Sequence, residues 1–214
     1  MDLNIFRRGG GEVHPLYLYS DAESQGGLWS EERRVNLSAE FLEALQGAVG
    51  GVVSPEAVLG YLYAILHAPA YRARYAEFLR RDFPRVPLPP NREAFETLAA
   101  LGQTLIQLHL LEHPDLQIPR CKFPIAGDNR VERVRFEAGR VWINPQQHFE
   151  PVSDEAWAFR VGGYTVCEKW LSDRKGRALS YEEIETYLRV VSAIEKTLAL
   201  QRELDTVCAE VWGW

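Results

Sequence analysis

An α+β fold is what the sequence predicts, with a helical N-terminal half and a long C-terminal helix around a small antiparallel β-hairpin or sheet. Three observations carry this. Residues 38–113 place apolar side chains at helical spacing between strong cap signals, residues 119–143 switch to alternation, and residues 180–205 return to a long amphipathic pattern. Helical and strand patterns grouped along a chain, instead of alternating regularly, read as α+β.

The elements follow in order. Leu16 to Tyr19 suits a short strand, and the Gly-, Ser- and Glu-rich run from Asp21 to Glu32 a loop. Ser38 caps a helix through about Gln46, closed by Gly47 and the Gly50-Gly51 pair. Ser54 before Pro55 starts the next, because the hydroxyl accepts a free amide and proline fits the first turn. Val58, Leu59, Leu62, Ile65 and Leu66 form its apolar stripe, and Pro69 breaks it. A further helix is predicted from Ala70 to Arg81, with Tyr71, Tyr75 and Phe78 or Leu79 on one side and arginines on another. Pro84, Pro87, Pro89 and Pro90 then impose an extended connector. Asn91 caps a helix reaching about His113, where Pro114 stops it; Phe95, Leu98, Gly102, Leu105 and His109 share its face. Val134 and Phe136 alternate with Arg133 and Arg135, and Glu137-Ala138-Gly139 turns the chain into Arg140 to Ile143 as a hairpin. Ser180 with Glu183 forms a capping box for a final helix to about Asp205.

At 214 residues the chain is expected to be a single domain, 1–214, with 1–13 and 206–214 as tails. No apolar run approaches the ~20 residues of a membrane span, and residues 1–11 lack a signal-peptide stretch, so a cytoplasmic location is expected. Cys121, Cys167 and Cys208 are odd in number and widely spaced, which reads as reduced, partly buried thiols and not as a disulfide frame or zinc site.

The net charge of −6 opposes binding to a polyanion, yet its distribution does not. Residues 69–85, 120–140 and 160–177 each carry a net +3 in an otherwise acidic chain. The last of these holds Gly162, Gly163 and Tyr164 beside Lys169, Arg174, Lys175 and Arg177. Glycines permit close backbone approach, and arginine and lysine supply fork-shaped and point-like partners for phosphates and guanine edges.

The same stretch carries a resemblance. Gly162–Tyr164, Cys167–Leu171, Asp173–Arg177 and Leu179-Ser180 resemble the C-terminal specificity domain of Type ISP restriction–modification enzymes. So do His14–Tyr19, Tyr61–His67, Tyr71–Tyr75, Asp82–Pro87, Gly139–Asn144 and Glu183-Ile184, in the same order over about residues 14–200. The resemblance implies a target-recognition domain that reads a short asymmetric DNA site, with double-stranded DNA and adjoining methyltransferase and helicase–nuclease modules as partners. It implies no cofactor.

Other motifs are weaker. His109-Leu110-Leu111-Glu112-His113 satisfies H-x-x-E-H, but Pro114 follows at once and no clear third ligand lies downstream, so the two imidazoles are not expected to share a metal. Asn144-Pro145-Gln146-Gln147 matches only in part the N-P-P-Y loop of adenine methyltransferases, and neither a glycine-rich cofactor loop nor a Walker A motif is present. Tyr61, Tyr63, Trp142, Trp157 and Trp170 are expected in the core.

The expected DNA-binding residues are therefore Gly162, Gly163, Tyr164, Lys169, Arg174, Lys175 and Arg177, on one face with Arg72 and Arg74; no catalytic or metal-binding residue is expected. Arg174 and Arg177 are expected to project beyond the surface and read bases, and Lys175 to hold a phosphate. The acidic total supports a second reading, a non-catalytic protein–protein interaction domain or a remnant that no longer binds DNA.

Overall fold

The structure, a computed structural model, describes residues 14–19 and 33–214. The expected tail 1–13 and the whole of the expected loop 21–32 lie outside the described residues. A two-stranded ribbon opens the description, β1 (Tyr17–Tyr19) antiparallel to β2 (Arg33–Val35). Three capped helices follow where serine and asparagine predict them: α1 (Ala39–Val49), α2 (Pro55–His67) and α5 (Arg92–His109). Ser38, Ser54 and Asn91 each accept the amide three residues on, at 3.2, 3.1 and 2.9 Å.

The α2 and α5 axes approach closely because glycines face each other. A Cβ on Gly102 would stand 1.8 Å from the Gly60 carbonyl oxygen, so the apolar stripe expected on α5 is also a backbone-to-backbone contact. With Leu45, Val58, Tyr61, Ile65, Tyr71, Phe95 and Leu98 these helices build a first core.

The expected helix 70–81 is instead two pieces, α3 (Pro69–Arg74) and α4 (Ala76–Leu79). Tyr75 leaves helical geometry at φ −105, ψ 16, and its ring tilts against Tyr71 at 4.9 Å. Tyr71 in turn donates to the Arg85 carbonyl at 3.0 Å, tying the proline connector back onto the core. Helix α5 ends before His113. Leu111 adopts φ 60, Arg189 donates to its carbonyl, and Glu112 and His113 both turn back to the Gln107 oxygen at 2.8 and 3.2 Å.

A second core forms around a three-stranded antiparallel sheet, β3 (Arg135–Glu137), β4 (Arg140–Trp142) and β5 (His148–Phe149). The expected hairpin is present, with Ala138 at φ 50 and Gly139 at φ 74 in its two-residue turn. The third strand and the short helices α6 (Asp154–Ala158) and α7 (Val166–Ser172) were not legible as separate elements. The NPQQ segment is a structural clamp between β4 and β5. Gln147 is buried, accepts from the Asn129 amide at 2.9 Å and from Asn144 Nδ2 at 3.0 Å, and donates to the Ile125 carbonyl at 2.9 Å.

One element joins the two cores. Helix α8 (Tyr181–Trp212), 32 residues and about 48 Å long, places Tyr187, Val191 and Ile194 in the second core and Leu204 and Cys208 in the first. Residues 206–212 are thus helical and packed, not the tail expected from Asp205 onward. Trp212 and Trp214 stack at 5.2 Å and Trp214 reaches Tyr71 at 5.9 Å, which holds the C-terminal turn against the first core. The three cysteines are buried and unpaired, and burial pushes their thiols up to about 12, 11 and 12 for Cys121, Cys167 and Cys208. Among the described residues no helix is long and apolar enough to cross a membrane.

Candidate nucleic-acid interface

The glycine pair sits at the tip of a small hairpin, β6 (Arg160–Val161) against β7 (Tyr164–Thr165). Gly162 has φ 59, a conformation that side-chain-bearing residues rarely adopt, and space opens around both glycines. Arg160 folds over the tip and donates to the Gly163 carbonyl at 2.6 Å. Tyr164 is 51% exposed, with Lys169 Nζ 5.7 Å from its ring centroid. Lys169 also pairs with Asp173 one turn along α7.

The cations beyond α7 behave differently. Arg174 lies 3.4 Å over the Trp170 ring, donates to the Trp170 carbonyl at 2.8 Å and to Glu183 at 3.0 Å, and keeps only 24% of its side chain exposed. Arg177 grips both carboxylate oxygens of Glu183, at 2.5 and 2.8 Å. Glu183 accepts the Ser180 amide at 3.1 Å as well, completing the capping box that starts α8. These contacts, Arg177 foremost and the Ser180 amide next, hold the Glu183 carboxyl down to about 2. Gly176, at φ 90, bonds the Val131 carbonyl at 2.7 Å and pins the turn to the second core. The expectation that Arg174 and Arg177 project freely is therefore corrected: their forks are engaged inside the protein. Lys175 is exposed and makes no ion pair with any described residue.

A cleft of about 990 Å³ opens where the two cores meet over α8. The hairpin supplies one wall through Arg160, Val161 and Gly162, and α2, α3 and α4 supply the other through His67, Arg72 and Leu79. Arg72 and the glycine tip thus share one concave surface, whereas Arg74, Lys169, Arg174, Lys175 and Arg177 do not line it. Between the walls Tyr63 Oη meets His109 Nδ1 at 2.7 Å, His109 Nε2 meets Thr197 Oγ1 at 3.2 Å, and His67 donates to the Tyr63 carbonyl at 2.9 Å. Burial pushes His67 down and, with His67 nearby, His109 down to about 4, so His109 is neutral at pH 7. His113 turns elsewhere, accepting the Asp115 amide at 3.3 Å at the start of a 3₁₀ turn. The H-x-x-E-H spacing does not bring its two imidazoles together.

The Type ISP C-terminal specificity domain family matches residues 1–203. This chain belongs to that family. Its fold is similar to part of the ATP-dependent Type ISP restriction–modification enzyme LlaBIII bound to DNA, with 19% identity and TM-score 0.63 over 90% of this chain and 13% of that one. The DrdV–DNA complex matches with 22% identity and TM-score 0.64, over 90% of this chain and 21% of that one. A nuclease-deletion mutant of the Type ISP enzyme LlaGI, in complex with a DNA substrate mimic, matches with 21% identity and TM-score 0.54 over 83% and 14%. The specificity domain spans about a fifth or less of each of these chains. No curated protein matches it.

In this specificity domain the expected aromatics Tyr61, Tyr63, Trp157 and Trp170 pack on the two cores, and Trp142 lies half-buried at 4.3 Å from His148. The Tyr63–His109–Thr197 chain was missed because its members come from three helices. The one local signal was Tyr63 and His67 four residues apart, which stack at 4.1 Å. Also missed was the exposure of Phe78, since the helical stripe allowed either Phe78 or Leu79 to face inward and Leu79 does.

Proposed function

We propose that this specificity domain docks on double-stranded DNA, reads a short site and orients an adjoining methyltransferase module of a larger Type ISP enzyme in the cytoplasm, with no catalytic step or cofactor of its own. The observation that carries the reading is the shared cleft: Arg160 and the open glycine tip line one wall and Arg72 the facing one, in a chain that belongs to a specificity-domain family. Arginines there suit phosphate and guanine acceptors, and the glycine tip suits close packing on a groove edge. Gly162 and Arg72, which line the cleft, form the centre of the proposed contact, with Gly163, Tyr164 and Lys169 beside the tip. Arg74 and Lys175, exposed and without an ion pair to any described residue, extend it as phosphate contacts. Arg174 and Arg177 shape the adjoining turn and enter only where DNA competes with Glu183 for them. Duplex binding followed across a salt series tests this. Affinity should fall steeply with salt; binding that is absent, or indifferent to salt, refutes it and favours the interaction-domain reading.

A further inference from the structure

Phe78, on α4, is 71% exposed, and Phe83, in the turn that follows, 74%. They differ from their neighbours, for Leu79 packs into the first core and Tyr71 and Tyr75 pack on each other. A lone exposed apolar residue is ordinary. Here two large aromatics five positions apart lie among Arg72, Arg74, Arg80, Arg81 and Arg85, in a segment of net +3 within a chain of net −6. The acidic partners of these arginines are exposed and local: Glu77 to Arg80 at 2.8 Å and to Arg81 at 3.9 Å, Asp82 to Arg85 at 3.7 Å. Exposed pairs of this kind yield readily to a stronger anion.

The charge selects the occupant. Another exposed aromatic, Tyr181, sits beside Glu182 and Glu185, where a polyanion would be repelled. Around Phe78 and Phe83 the field favours a polyanion that also offers flat apolar faces. Position agrees, since Leu79 and Arg72 line the cleft wall opposite the glycine tip, and Phe78 stands about 100° around the α4 axis from Leu79, on its outer side. Building on the DNA reading above, we infer that Phe78 and Phe83 are apolar wedges that insert between base steps of duplex DNA while the flanking arginines hold the phosphates. Such insertion unstacks a step and bends the duplex, and it selects easily opened pyrimidine–purine steps without any hydrogen bond to a base.

The test uses the whole chain and a short duplex selected for binding from a random pool, carrying 2-aminopurine at one position at a time. Wild-type protein should brighten the probe at one or two adjacent steps, the signature of lost stacking. Phe78→Ala or Phe83→Ala should abolish the brightening at its step and weaken binding roughly tenfold or more, with thermal unfolding unchanged because both rings are in water. Phe78→Trp and Phe83→Trp should retain both effects. If the alanine variants bind and brighten as wild type does, the wedge is wrong while the DNA reading stands. Weakened binding with no brightening at any position also overturns it, leaving a surface contact without insertion. Wild-type protein showing no salt-dependent binding would remove the DNA reading itself, and the wedge with it.

Discussion

Residues 72–85 and 174–177 are both rich in arginine, yet the fold treats them in opposite ways. In the second, Glu183 is positioned by the Ser180 cap, reached by two guanidiniums and partly withdrawn from water, so the cations fasten a turn to the start of α8. In the first, the carboxylate partners among the described residues are sequence neighbours in solvent, and Arg80, Arg81 and Arg85 keep most of their surface available. Equal charge in a sequence therefore does not mean equal availability. What matters is whether a carboxylate from another element is held in place to receive the fork.

The largest effect that could break this contrast is Glu183→Ala. It removes the capping carboxylate and leaves Arg174 half-enclosed without its partner, so a loss of about 1–2 kcal/mol of stability is expected in urea unfolding. Arg72→Ala should stay within about 0.5 kcal/mol of wild type in the same assay. If the two variants unfold alike, the distinction drawn here is wrong.

Next in size is the division of DNA affinity. Arg72→Ala should lower the slope of log affinity against log salt by about one unit and weaken binding to all sequences. Arg174→Ala should leave that slope unchanged under conditions where the variant is fully folded. A slope change for Arg174 equal to that for Arg72 would return Arg174 to the contact surface.

Acid titration sharpens the same point. The folded Glu183 carboxyl lies near 2 against an ordinary value of 4.5, so it is depressed on folding. Its contribution is then full above the unfolded value and is lost as pH falls from 4.5 toward 2. Urea unfolding at pH 6 and at pH 3 should show wild type losing more stability than Glu183→Gln over that interval. Equal losses would mean that the Arg177 grip does not hold in solution.

The smallest expected effect is Glu77→Gln. Removing the local carboxylate frees Arg80 and Arg81, so duplex binding should tighten about twofold at low salt, with stability nearly unchanged. Weaker binding would show that Glu77 positions these arginines instead of competing for them.

Much of this was legible in local chemistry. Ser38, Ser54, Asn91 and Ser180 start helices where their side chains meet free amides, and Glu137 to Arg140 turns as a hairpin, because such signals act over three or four residues. The two-piece form of 69–79 was not legible, since Tyr75 departs from the helix against Tyr71, whose ring is itself held by Arg85 and Trp214 from farther along the chain. Nor was the packed C-terminus: Trp212 and Trp214 read as a tail until Tyr71 supplies the surface that receives them. Of the candidate site, the glycine tip and the family were readable, while the cleft joining Arg72 to Gly162 was not.

By itself the sequence determined where the four long helices begin, that charge is concentrated in three basic segments, and to which family the chain belongs. Caps, periodicity and ordered motifs are properties of neighbours along the chain. Tertiary structure alone decided which arginines remain available and which are consumed by Glu183, and that Phe78 faces water while Leu79 faces the core. Glu183 receives Arg174 and Arg177, only nine and six residues before it, because the Ser180 cap fixes its carboxylate and Gly176 pins the turn to Val131, while Leu79 turns inward because the first core, which α8 helps to build, lies on its side.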